Sequence, residues 1–93
     1  MAKNFKINIH RSVDNLVICL VGDFDGSSAF ELLNALSENL NSAKRVLIDT
    51  QKLQAIYPFG REVFYYNFLK MKNQGNRIRF VGPVDLHMAP TDS

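Results

Sequence analysis

Residues 16–33 read Leu-Val-Ile-Cys-Leu-Val-Gly-Asp-Phe-Asp-Gly-Ser-Ser-Ala-Phe-Glu-Leu-Leu, and the change of pattern inside them decides the fold class. Leu16 to Val21 is a near-continuous apolar run, as in a strand covered on both faces. Gly22-Asp23-Phe24-Asp25-Gly26 breaks that strand. Ser28 and Glu31 then stand at capping-box spacing, which predicts a helix start. Ala29, Leu32, Leu33, Leu36 and Leu40 fall on one helical face, with Asn34, Ser37, Glu38 and Asn41 opposite.

Towards the N-terminus, Phe5, Ile7 and Ile9 alternate with Lys6, Asn8 and His10, the period of a strand with one wet face. Asp14-Asn15 reads as a turn, so the first two strands form a hairpin with the first at or near an edge. Towards the C-terminus, Val46-Leu47-Ile48 is a short buried strand ending at Asp49, followed by a loop through Gln51, Lys52 and Gln54. Pro58 confines Tyr57 to extended geometry, so a second helix starts at or just after it. That helix is expected to run to about Asn73, with Gly75 as its terminator and Val63, Phe64, Phe68, Leu69 and Met71 as its apolar side. Ile78 to Val81 forms a last strand before Gly82-Pro83. The order is β-β-α-β-α-β, an α/β fold whose N-terminal hairpin leads into right-handed parallel crossovers. One domain is expected over 1–83, with a short flexible tail over 84–93.

The chain has 93 residues, 46% of them hydrophobic, which suits one domain with a genuine core. So small a domain is marginally stable alone, and dimerisation or partner binding stabilises it. Its formal net charge is +2, with Lys and Arg spread along the chain, so nothing in it argues for nucleic acid. Cys19 is the single cysteine, which excludes an internal disulfide and a cysteine-based zinc cluster; its apolar surroundings predict ordinary burial. No signal-peptide pattern and no 18-residue apolar run appears, so the expected setting is cytoplasmic, without membrane insertion.

Catalysis finds little support. His10 belongs to the wet side of the first strand and His87 to the tail, away from the strand ends where a site forms, so no catalytic residue is assigned. Asp25 and Asp49 each follow a strand, which sets them to flank one crevice for a small ligand at the carboxyl ends of the sheet. The structural reading, with Asp25 as a cap and Asp49 as a strand-end solubiliser, is favoured because a third ligand or base is lacking. Gly26-Ser27-Ser28 lacks the Gly-Lys-Ser/Thr of a phosphate loop, and no cofactor or metal is expected. What stands out is Tyr57-Pro58-Phe59-Gly60 followed by Arg61, Tyr65 and Tyr66. One helix cannot bury Phe59, Phe64, Tyr65, Tyr66 and Phe68 together, because they span most of its circumference. Aromatic rings beside an arginine are the composition of interface centres.

From Phe5 to Pro83 these segments resemble the STAS family, best known for the anti-sigma-factor antagonists of bacterial partner switches. Gly22-Asp23-Phe24-Asp25 resembles that family's Gly-Glu-Leu-Asp-like turn, and Ser28-Ala29 stands where Thr-Ala is usual. Val46-Leu47-Ile48-Asp49 resembles its middle strand, and Gly75 with Ile78 to Gly82 its last helix stop and strand. The resemblance implies a non-catalytic regulatory module that docks through the start of the second helix, with Asp25, Tyr57, Phe59, Arg61 and Tyr65 as partner contacts. The implied partner is an anti-sigma kinase-like protein or the ATPase of an ABC transporter, with a homodimer as a further option. The departure lies in the phosphorylation loop: Asp-Ser-Ser-Gly is replaced by Tyr57-Pro58-Phe59-Gly60, and Pro58 has no hydroxyl. A switch that adds phosphate to that position is rejected. The pattern also runs out near Pro83, where the family continues, so the fold is read as truncated at the C-terminus.

Overall fold

The computed structural model describes residues 4–39, 43–70 and 77–82. The expectations for Leu40, Asn41, Met71, Gly75, Pro83, His87 and the 84–93 tail lie outside the described residues. Strand β1 (Lys6–Arg11) turns back into β2 (Asn15–Phe24), and helix α1 (Gly26–Asn39) crosses to β3 (Arg45–Ile56). Helix α2 (Pro58–Phe68) then leads to β4 (Ile78–Val81). The sheet order is β1-β2-β3-β4, antiparallel between β1 and β2 and parallel thereafter, so β1 is an edge strand as its wet face implies. This is the β-β-α-β-α-β order of the sequence reading.

Burial alternates along β2: Leu16, Ile18, Leu20 and Phe24 are buried, whereas Val17, Cys19 and Val21 are half-buried. The buried set joins Ala29, Leu32 and Leu36 of α1, Phe64 of α2, Val46 and Ile48 of β3, and Ile78 of β4 in one core. Both helices therefore pack on one face of the sheet. β2 is not covered equally on both faces, and Cys19 on the other face keeps some exposure. Aromatic rings link the layers. Phe24 meets Phe5 and Phe64 edge-on at 6.0 and 6.3 Å, and Phe64 meets Phe80 at 6.0 Å.

Four boundaries differ from the sequence reading. β2 runs through Gly22 to Phe24, and β3 runs past Asp49 to Ile56. The two stay paired through register shifts on either side of Val21 and Gly22, so β3 carries extra residues along the pair. Gly22 permits this with a φ of +96°, where a β-carbon would also run into the Asn4 carbonyl. α1 starts at Gly26, because Asp25 and not Ser28 is its cap. α2 ends at Phe68: the Asn67 side chain donates to the Val63 carbonyl (2.8 Å), and the Lys70 N–H tightens onto Asn67 (3.1 Å). Leu69 then lies beyond the helix and is half exposed.

Candidate functional site

Both helices begin at the same end of the sheet, and their first turns are fitted to each other. The Tyr57 N–H donates to the Phe24 carbonyl (2.9 Å), which ties the start of α2 to the end of β2. Tyr57 is extended (φ −84°, ψ 138°), as Pro58 at the first helical position requires. Its carbonyl accepts from the Arg61 N–H at 3.1 Å, which closes the first turn.

Asp25 performs the equivalent task for α1. Its Oδ1 accepts from the Ser28 N–H (2.9 Å) and lies 3.0 Å from the Ser27 hydroxyl and 2.9 Å from that of Ser28. The single Ser28 hydroxyl proton is shared with the Asp23 carbonyl, 3.0 Å away. Hydrogen bonding from the Ser28 N–H, reinforced by the two hydroxyls against partial desolvation, holds the Asp25 carboxyl down from 3.8 to about 2. The charge is therefore engaged inside the fold, and it favours the helix N-terminus it caps.

The two starts are in van der Waals contact. A β-carbon on Gly60 would stand 2.5 Å from the Asp25 carbonyl carbon, and one on Gly26 would stand 2.8 Å from the Phe59 ring. Phe59 thus lies across the first turn of α1 while remaining 67% exposed. Phe30, one helical turn beyond Gly26, is 54% exposed. Tyr66, two turns beyond Phe59 on the same face of α2, is 58% exposed, and Tyr57 is 49% exposed. Four large rings are thus exposed on the two helices and at the start of the second: Phe30, Tyr57, Phe59 and Tyr66. Arg61 and Tyr65 occupy the flank of α2, one turn apart and half-buried. Arg61 Nε is buried and, among the described residues, donates to nothing. The Tyr65 ring meets Tyr66 edge-on at 5.2 Å, which connects that flank to the exposed face.

Of the residues singled out from the sequence, Tyr57, Phe59, Arg61 and Tyr65 gather at this end, and Asp25 lies beneath them as the cap. Phe30 was missed. It falls among Asn34 and Ser37 on the polar side of α1, and a lone large ring there was the signal. Asp25 and Asp49 do not flank one crevice. Asp49 lies in mid-strand opposite Cys19 and Val81, where its Oδ1 accepts from the Gln51 N–H (2.9 Å). Asp25 is six residues beyond Cys19 along β2, roughly 20 Å at the usual strand rise. The extension of β3 beyond Asp49 is the reason. Among the described residues no three of His, Cys, Asp and Glu converge on a metal position. No helix among them is long and apolar enough to cross a membrane.

No protein-family model and no curated protein sequence matches the chain. Solved structures do. A crystal structure of Mglu matches with a TM-score of 0.70 at 20% identity over 82% of this chain, which spans about a fifth (19%) of Mglu. The unphosphorylated anti-sigma factor antagonist SpoIIAA matches with a TM-score of 0.62 at 13% identity, covering 87% of this chain and 74% of that one. A DUF3478-family protein with a SpoIIAA-like fold from Shewanella loihica matches with a TM-score of 0.63 at 22% identity, over 92% of this chain and 71% of that one.

Proposed function

We propose that this chain, whose fold is the STAS-like, SpoIIAA-like one, is a non-catalytic protein-docking module. Its docking surface is the joint where α1 and α2 begin. The observation that carries the reading is Phe59: a large ring, two-thirds exposed, laid over Gly26 on top of the tight Gly60–Asp25 contact. A solvent-facing ring held by a close-packed base is pre-organised, so binding it costs little further ordering. Tyr57, Tyr66 and Phe30 widen the apolar surface, and Arg61 with Tyr65 supplies a half-buried polar flank. Asp25 contributes by holding α1 in place.

SpoIIAA is an anti-sigma factor antagonist. By that precedent the partner is an anti-sigma kinase-like protein in a bacterial cytoplasm, and a transporter ATPase is the second candidate. Pro58 offers no hydroxyl where the family resemblance places the phosphorylated residue, so docking is not switched by phosphate at that position. The small-ligand reading loses its support with the separation of Asp25 from Asp49. The test is site-specific photo-crosslinking in the native cells from a benzoylphenylalanine at position 59, with Lys52 as the control position. A single partner captured from position 59 and not from position 52 supports the surface; equal capture from both, or none, refutes it.

A further inference from the structure

The opposite end of the parallel strands holds a second feature, a cavity of about 530 Å³ lined by Asn15, Arg45, Val46, Leu47, Arg77 and Arg79. The register explains how three arginines from two separate stretches meet there. Val46 pairs with Ile78 and Leu47 with Arg79, so Arg45 and Arg77 both stand one residue before the first of these pairs. Arg45 in turn faces Asn15 of β2. Because Val46 and Ile78 point into the core, the alternation puts Asn15, Arg45, Leu47, Arg77 and Arg79 on the face of the sheet away from the helices.

Like charges on adjoining strand positions repel, and a fold tolerates them best where something else compensates. Among the described residues no carboxylate pairs with Arg45 or Arg79. The Arg77 side chain is fixed by donation from Nη1 to the Ala43 carbonyl at 3.0 Å. A guanidinium presents a planar fork that matches phosphate oxygens in pairs, and it cannot shed its charge near neutral pH. The volume exceeds what a lone inorganic ion needs and falls in the range of small-molecule sites, while the Leu47 side chain gives it an apolar side.

We propose that this cavity binds a small, soluble, multiply charged phosphate ester of about nucleotide size. Arg45 and Arg79 hold the phosphates, Arg77 is anchored beside them, and Leu47 packs on the uncharged body. The site lies at the amino-terminal ends of the parallel strands and shares no residue with the docking surface around Phe59.

The experiment is titration of the full ¹⁵N-labelled chain with inorganic pyrophosphate and with ATP at matched ionic strength, followed by amide shifts. Saturable shifts centred on Asn15, Leu47 and Arg79 are expected. Arg45→Ala and Arg79→Ala, both at exposed positions, should each weaken binding about tenfold or more, the loss of a charged hydrogen-bond pair. The proposal is overturned if neither probe saturates at millimolar concentration, if the shifts centre elsewhere, or if both variants keep the original affinity. Binding to phosphatidylglycerol vesicles with no saturable response to either soluble probe would likewise overturn it, in favour of a lipid headgroup.

Discussion

Gly60 rests on the backbone of Asp25: a β-carbon at Gly60 would lie 2.5 Å from the Asp25 carbonyl carbon and 2.6 Å from its oxygen. The obstacle is main chain, which cannot swing aside as a flexible side chain can. Gly60→Ala therefore has to part the first turns of α1 and α2. Overpacking of this kind costs about 1–3 kcal/mol, and each kcal/mol lowers the midpoint of a domain this size by about 4–8 °C. Thermal unfolding followed by circular dichroism should show a clear fall. An unchanged midpoint would mean that the joint is loose.

Phe64→Ala should be the most damaging single change in α2. Its ring is fully buried, stacks on Phe68 at 5.2 Å, and meets Phe24 and Phe80 edge-on. Truncation removes about 3–5 kcal/mol, a large part of the about 5–15 kcal/mol that holds a small domain together. Urea unfolding should show a midpoint lowered by about 1 M or more. A loss no larger than that of Phe59→Ala would contradict the placement of Phe64 at the centre of the core.

The element order was legible because each element carries its own pattern: an unbroken apolar run over Leu16 to Val21, and Ala29, Leu32 and Leu36 at helical spacing. Extents were less legible, for local reasons. Thr50-Gln51-Lys52-Leu53-Gln54 is polar enough to pass for a loop, yet it pairs with the far half of β2 because Gly22 lets that strand continue. The Ser28–Glu31 spacing imitated a capping box while the carboxylate three residues earlier did the capping. For the candidate site, the sequence pointed to Tyr57, Phe59, Arg61 and Tyr65 through their excess of rings. It gave no sign that Phe59 lies over Gly26, nor that Arg45 and Arg79 share a cavity, since both facts depend on pairing between distant segments.

The Asp25 cap sets an acid limit. Its carboxyl titrates at about 2 in the fold, against an ordinary 3.8. The depressed value means that the charged form stabilises the folded state. That contribution is complete above pH 3.8 and is lost as the pH falls from there through about 2. Asp25→Asn keeps a good capping side chain but has no charge to lose. Urea unfolding at a series of pH values should show wild type ahead of the variant at neutral pH, with the gap closing across that acid window. Parallel curves would show that Ser27 and Ser28 do not stabilise the carboxylate in solution.

Phe59→Lys tests the docking surface with little disturbance of the fold. The ring is 67% exposed, so its loss should lower the thermal midpoint far less than Phe64→Ala does. Burying a lysine in a partner's apolar pocket should instead weaken the complex by about 2 kcal/mol, roughly thirtyfold, if the ring is an anchor. Calorimetry against the partner captured through position 59 reads this directly. Phe30→Lys then locates the footprint. Phe30 lies one turn past Gly26 on the face that Phe59 covers, so a surface centred on the joint loses affinity in both variants. A loss confined to Phe59→Lys would move the footprint along α2 towards Tyr66, and no loss in either would remove the joint from the interface altogether.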